Sequence, residues 1–298
     1  MSAIEAQGLG VERSGRTILR DVSLQVPWGS VTGLLGTDGA GKSTTIRRLL
    51  GLIAGRGTVR IAGVAPERIH NPARVVGVAL DALAAYPAHT PRMHLEQLAV
   101  AASIGRGRVP GLLEDVGLAD VADPRRRVPI SALSLGMRTR LAIAGALVGA
   151  PRILVLDEPF DGLDPMGRHW LRDVVRQHAD RGGAVLLSAH GLDEVAPVVD
   201  RVVVLDAGRV RFEGETAALR ARLASAVDVR TPYVARLRRA VEALGATVVH
   251  AEGDRLRVAG VASETVAWAA LAERILVLEL TTWTPSLDDA FVDAIGPA

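Results

Sequence analysis

The sequence predicts an α/β fold: a mixed, largely parallel core sheet covered by helices, followed by a smaller α+β module. Three observations carry this. Over the first two thirds of the 298 residues, short continuous apolar runs alternate with stretches of helical spacing, the pattern of parallel strands buried on both faces. Two stretches instead alternate apolar and polar residues, as half-exposed antiparallel strands do. After Gly214 the order becomes strand, helix, strand, strand, helix, strand, a split βαβ or ferredoxin-like arrangement.

In chain order, Thr17–Val26 is the first half-exposed strand and Thr58–Val64 the second, together an antiparallel β subdomain. Val31–Leu35 is a buried strand and Lys42–Ile53 the helix that follows it. Ile153–Asp157, Ala184–Ser188 and Val202–Leu205 are further buried strands by their unbroken apolar runs. Ser134–Val148 and Pro165–Arg181 have helical spacing, with Pro165 just inside a helix start. The boundary falls at 214: residues 1–214 form the first domain and 215–298 an accessory one. In the latter, Thr216–Leu223 reads as a linking helix. Ala226–Arg230, Val234–Leu244, Thr247–His250, Arg255–Val258, Glu264–Ala272 and Leu276–Leu280 are the six elements of the module. A last helix near Leu287–Ile295 is expected to return to the first domain.

Between Val31–Leu35 and its helix stands "GTDGAGKSTT", residues 36–45, holding the only lysine of the chain, Lys42, among 35 basic residues. Arginine cannot replace lysine where a compact, rotatable ammonium must enter a tight anionic site. Gly36, Gly39, Gly41, Lys42 and Ser43 satisfy G-x-x-x-x-G-K-S in the strand-to-helix context that a phosphate loop requires. Glycines let successive backbone amides converge on phosphate oxygens, and the helix start adds partial positive charge. Gly36, Thr37, Asp38, Gly39, Ala40, Gly41, Lys42, Ser43 and Thr44 are thus the candidate cradle of a P-loop NTPase. Lys42 is expected on the β and γ phosphates and the Ser43 hydroxyl on Mg²⁺. The apolar strand at 153–156 then delivers two carboxylates: Asp157, to orient the metal, and Glu158, to act as general base toward water.

With these motifs in that order, the chain resembles the nucleotide-binding subunit of an ATP-binding cassette (ABC) transporter from residue 4 to about 214. "LSLGM", residues 133–137, ahead of "LVLDEP", 154–159, carries most of the resemblance. It implies that Ser134 and Gly136 contact the γ-phosphate of ATP held by an opposite subunit, that Asp164 of "GLDP" lies in the loop through which the two sites communicate, and that His190 of "LSAH" is a γ-phosphate switch. It also implies a helical subdomain at about 82–150, whose stretch "YPAHTPRMHLEQLAVAASI" receives a coupling helix, with Tyr86 and Met93 as first contact candidates. The chain departs from the family at several points. Ser14 stands where an aromatic residue stacks on adenine, Asp81 where a glutamine touches the metal, and Leu135 and Met137 replace a glycine and a glutamine in the signature. Asp81 remains a candidate Mg²⁺ ligand, since a carboxylate binds that ion directly or through water.

The implied function is an ATP-binding and ATP-hydrolysing subunit at the cytoplasmic side of the membrane. It powers a separate transmembrane permease for export of a drug-like or antibiotic compound, with ATP and Mg²⁺ as cofactors. A second copy of itself or a related cassette completes each site. Asp81 and "LSLGM" resemble the antibiotic and multidrug exporter branch of high-GC bacteria. Two alternatives stay open: an ATP-binding regulator or resistance protein with little hydrolysis, and a soluble ABC ATPase acting on ribosome or DNA.

Composition narrows the rest. The absence of cysteine excludes disulfides, thiolate metal sites and cysteine nucleophiles. The amino terminus lacks a charged-then-apolar leader pattern, and no apolar run approaches the ~18 residues of a spanning helix, so a soluble or peripheral protein is expected. The formal net charge is only +2. A pI near 9.6 therefore reports the choice of arginine over lysine, and no nucleic-acid partner is expected. Arg125–Arg126–Arg127 reads as a solvated loop, and the six histidines other than His190 show no metal-ligand spacing.

Overall fold

The computed structural model describes residues 2–80, 85–192, 194–220, 226–283, 289, 290 and 294. Two compact units make up the chain, Met1–Thr216 and Ala217–Pro297. The first opens with two long strands, β1 (Ser2–Arg13) and β2 (Arg16–Pro27), joined by a two-residue turn. Ser14 and Gly15 both adopt left-handed backbone there (φ 50 and 74), the geometry that matches the twist of a hairpin. Next come β3 (Val31–Leu35), α1 (Lys42–Leu49) and β4 (Arg56–Ile61). β1 lies between β2 and β4 in a three-stranded antiparallel sheet. β1 is absent from the sequence reading because Gly8 and Gly10 and its charged residues break the apolar alternation. α1 stops short of the expected Ile53, since Leu50 closes its last turn and Gly51 turns left-handed (φ 70).

β5 (Val76–Ala79) follows, then the helices α2 (Pro91–Ala101), α3 (Val109–Asp115) and α4 (Leu135–Leu147). The three helices share their own apolar core, built on Leu95, Leu113, Ile130 and Leu141. Thereafter β6 (Ile153–Leu156), α5 (Pro165–Asp180), β7 (Ala184–Ala189), β8 (Arg201–Asp206) and β9 (Arg209–Glu215) complete the unit. The core sheet has the order β5-β6-β7-β3-β8-β9; all neighbours are parallel except β9, which runs antiparallel to β8. β3, β6 and β7 are buried at every residue, which is why their sequences read as unbroken apolar runs. The expected fold class, a mixed sheet with an antiparallel β subdomain and a helical subdomain, is the observed one. In such a sheet ligands bind beyond the carboxyl ends of the strands, near the point where the connection order reverses. β6, β7 and β3 are neighbours, so their three ends face one region.

α6 (Thr216–Arg220) leads into the second unit; residues 221–223 of the expected linking helix lie outside the described residues. That unit is built from β10 (Ala226–Arg230), α7 (Val234–Glu242), β11 (Thr247–Glu252), β12 (Arg255–Ala259), α8 (Ser263–Ala272) and β13 (Glu279–Trp283). Its strands are ordered β11-β12-β10-β13 with every neighbour antiparallel. The expected strand at Leu276–Leu280 needs correction: pairing runs from Arg230 opposite Glu279 to Ala226 opposite Trp283, and Leu276 and Leu278 stay exposed in the connection. β-branched Thr281 and Thr282 and aromatic Trp283 suit a pleated strand better than that leucine-rich run. Of the expected last helix, Leu287–Ile295, only Asp289, Ala290 and Ala294 are among the described residues.

Two features fix predictions. A Cβ at Gly77 on β5 would strike the Ala146 carbonyl of α4 and come within 2.8 Å of Pro151, so strand and helix meet where only glycine fits. Gly77→Ala is expected to lower stability by about 2 kcal/mol, measured by urea unfolding. Separately, burial, reinforced by the charge of Arg181, holds the His178 imidazole below its ordinary 6.5, against an opposing hydrogen bond from Nε2–H to the Arg152 carbonyl. A histidine held low takes up its proton more readily when unfolded. Stability is therefore expected to fall as pH drops below 6.5 through the native value, and denaturation curves across that range should show a smaller decline in His178→Gln.

Candidate active site

The loop after β3 is shaped by close approaches. A Cβ at Gly36 would strike the Leu205 carbonyl and lie 2.9 Å from the Ala40 methyl, so the turn seats directly on the end of β8. Gly39 and Gly41 are left-handed (φ 78 and 109), and open space lies where Gly39 would carry a side chain. Thr37, Asp38 and Gly39 are exposed, while Ser43 and Thr44 are half-buried in the first turn of α1. Amides of a first helical turn have no partner within the helix, which leaves them free for an anion.

Lys42 is 5% exposed. Its ammonium donates to the carbonyls of Gly36 (2.8 Å) and Thr37 (3.3 Å). It also lies 3.4 Å from Glu158 Oε1 and 3.4 Å from His190 Nδ1. The end of β6 supplies the acid pair. The Asp157 amide bonds the Ala79 carbonyl of β5 at 2.8 Å. Ser188, on the neighbouring β7, donates its hydroxyl to Asp157 Oδ1 at 2.6 Å and accepts the Glu158 amide at 2.8 Å. Glu158 has left-handed backbone (φ 49), a conformation that costs a non-glycine residue on the order of 1–3 kcal/mol.

His190 stands just past the end of β7. Its Nδ1 is 2.8 Å from Asp38 Oδ1, and its Nε2 faces Glu158 Oε2 (3.2 Å) and Asp161 Oδ2 (3.5 Å). Asp38, Glu158 and His190 bring ligating atoms within 4.8 Å of one another. The Lys42 ammonium, 3.4 Å from both Glu158 and His190, already supplies positive charge there, which disfavours a cation among these three. The Ser43 hydroxyl and the Asp157 carboxylate are instead oxygen donors of the kind magnesium takes.

Other expected site residues lie apart from the loop. Ser134 caps α4 by accepting the Met137 amide (3.2 Å), and a Cβ at Gly136 would lie 3.0 Å from the Gly162 carbonyl. Asp164 caps α5 through the Gly167 amide (2.8 Å) and lies 3.8 Å from Arg140. Among the described contacts none of these three touches the phosphate loop. Asp81 lies outside the described residues. A small cavity of about 200 Å³, lined by Leu135, Thr139, Asp157, Glu158 and Asp161, joins the first turns of α4 to the acid pair.

Ser188 and Asp161 were not singled out from sequence. The signal for Ser188 was a hydroxyl closing a buried run two residues ahead of His190. Glu194 is a further one: it pairs with Arg168 at 2.9 Å, while Arg168 also donates to the Leu163 carbonyl. Burial pushes the Glu194 carboxyl up, Arg168 only partly offsets this, and the charge of Asp161 adds to the rise.

A larger groove, about 800 Å³, opens between β5 and the helices, walled by Val76, Val78, His94, Leu98, Arg138 and Leu141. Tyr86 and Met93 are exposed but do not line it; the wall is the neighbouring face of α2.

Comparison with known proteins identifies the family. Residues 19–161 match the ABC transporter family model, and residues 225–288 match a domain of unknown function. The chain is 38% identical to Nod factor export ATP-binding protein I of Paraburkholderia xenovorans, over 73% of this chain and 72% of the relative. It is 37% identical to the daunorubicin/doxorubicin resistance ATP-binding protein of Streptomyces peucetius, over 76% and 69%. An uncharacterized ABC transporter ATP-binding protein of Bacillus subtilis is similar over 98% of this chain and 94% of its own length, at 31% identity. Among solved structures, the ATP-binding subunit of an ABC transporter superposes with a TM-score of 0.66 at 30% identity, over 74% of this chain and 93% of that one. The chain therefore belongs to the ATP-binding subunits of ABC transporters, a family that hydrolyses ATP to power transport.

Proposed function

We propose that the chain is the ATP-hydrolysing subunit of an export system, works with a separate membrane permease at the cytoplasmic face, and pairs with a second cassette. The convergence of Lys42, Glu158 and His190 beyond the ends of β3, β6 and β7 carries the reading. Relatives named for Nod factor export, daunorubicin/doxorubicin resistance and lantibiotic transport favour a drug-like or antibiotic cargo. No helix among the described residues is long and apolar enough to cross a membrane, in keeping with a transport path supplied by another chain.

In this reading the amides from Gly36 to Thr44 cradle the triphosphate, and Lys42 exchanges its loop carbonyls for β and γ oxygens. Ser43 and Asp157, with Asp81, hold magnesium, which when bound neutralises charge on the phosphate oxygens. Glu158 takes the proton of the attacking water, and Ser188 keeps both acids aimed by bonding the side chain of one and the amide of the other. His190 senses the terminal phosphate. Ser134 and Gly136 serve the site of the opposite cassette, and Asp164 lies between the two sites. The apolar groove between β5, α2 and α4 receives the coupling helix of the permease.

Glu158→Gln tests the assignment. ATP binding is expected to persist while hydrolysis falls by ~10²–10⁴-fold, the usual contribution of a general base. An unchanged rate would remove Glu158 from this role. Ser188→Ala leaves the Glu158 amide and one Asp157 oxygen without a partner. A loss of about tenfold in steady-state ATPase rate is expected, equivalent to ~1.4 kcal/mol, with the far-ultraviolet circular dichroism unchanged.

A further inference from the structure

We propose that Arg168 is a positioning residue for His190: its guanidinium clamps the loop at 161–164 to the segment that follows β7, and so links the turn at Ser134 and Gly136 to the histidine. The proposal rests on the reading of this chain as one of a pair of ATP-hydrolysing cassettes.

The clamp joins two separate pieces of chain. Arg168, in the first turn of α5, donates its Nε–H to the Leu163 carbonyl at 3.2 Å, while its Nη1 forms an ion pair with Glu194 Oε1 at 2.9 Å. Leu163 belongs to the loop before α5, and Glu194 stands four residues beyond His190. One turn further along the helix, Arg172 donates from Nη2 to the main-chain carbonyl of Glu194 at 3.1 Å, so one helix holds both the side chain and the backbone of that residue. The contacts are not loose surface pairs. Leu163 is buried and the Glu194 side chain is only 17% exposed, a setting in which a carboxylate needs a cation beside it. A planar guanidinium serves a carbonyl and a carboxylate from different nitrogens, which the single nitrogen of lysine does not reproduce.

Each end of the clamp leads to a residue of the site. On one side the loop lies against the start of α4: the Gly162 carbonyl is 3.0 Å from the point where Gly136 would carry a Cβ, and the Thr139 hydroxyl donates to the Asp161 carbonyl at 3.5 Å. A shift of Gly136 therefore presses on the loop. On the other side, the Leu192 carbonyl accepts the amides of Val195 and Ala196 at 3.0 and 2.7 Å, and Leu192 itself is fully buried, so a compact turn connects Glu194 to the histidine. Ser134 and Gly136 serve the opposite cassette in this reading. Arg168 thus closes a contiguous run of contacts from the surface that meets the partner's ATP to the switch of its own site, the kind of physical connection that coupling between sites can use.

Steady-state kinetics of the full chain test the clamp. Arg168→Ala is expected to lower kcat about tenfold with KM for MgATP changed less than about threefold, Glu194→Gln to do the same, and the double variant to lose no more than either alone. In a His190→Ala background Arg168→Ala should add nothing, because the clamp acts through that ring. Arg168→Lys keeps a charge beside Glu194 but lacks the Nε–H, and is expected to recover only a minor part of the loss. A second measurement separates positioning from folding: with Arg168→Ala added to Glu158→Gln, ATP-dependent dimer formation on size-exclusion chromatography should persist. Full activity in Arg168→Ala, additive losses with Glu194→Gln or His190→Ala, full recovery by lysine, or loss of the ATP-dependent dimer would each overturn the proposal. A wild-type chain without ATPase activity would sink the ATPase reading and the clamp with it, whereas an active wild type with an unaffected Arg168→Ala sinks the clamp alone.

Discussion

The site is organised around one buried positive charge. Lys42 enters the loop almost fully shielded from water, and an ammonium removed from water without compensation is strongly disfavoured. Its neighbours answer that demand: two carbonyls of its own loop, one carboxylate from the end of β6 and one ring nitrogen from beyond β7. Each partner comes from a different piece of chain, so the charge binds three strand ends into one structure. An incoming polyanion offers Lys42 better partners than carbonyls, and accepting it frees Glu158 and His190 from the same cation.

The sheet makes this meeting possible. β6, β7 and β3 lie side by side and parallel, so whatever follows each strand emerges at the same edge. Ser188 strengthens the alignment by bridging β7 to both acids after β6. On the other side of β6, Asp157 is held to β5 through the Ala79 carbonyl, and β5 is pressed against α4 where Gly77 meets Ala146. The helix that Ser134 caps is therefore seated on the same frame as the acids, although among the described contacts Ser134 does not touch its own chain's phosphate loop.

What the sequence made legible follows from how local the signal was. The phosphate loop is ten consecutive residues, and its strand and helix flank it directly, so its place in the fold could be read before any coordinates. Glu158 was reachable because an acid pair follows the unbroken apolar run at 153–156, and His190 because "LSAH" resembles the family's switch in the expected order. Asp161, Glu194 and the contact between Asp38 and His190 were not, because they depend on which strand ends become neighbours, and that is a property of sheet order. β1 was missed because glycines interrupt its pattern, and β13 was placed early because apolar character outweighed β-branching in the run before it. The groove beside β5 was not anticipated either, because its wall on α2, His94 and Leu98, is marked by no strong apolar stripe in that helix.

Glu158 stands in a backbone conformation natural to glycine, held there by the Ser188 hydroxyl on its amide and by Lys42 and His190 beside its carboxylate. For folding alone, a residue without a β-carbon is the better choice at that point. If Glu158 is the general base proposed above, the chain forgoes that relief for the sake of a carboxylate, so the sequence that folds most robustly and the sequence that turns over substrate part company at a single position.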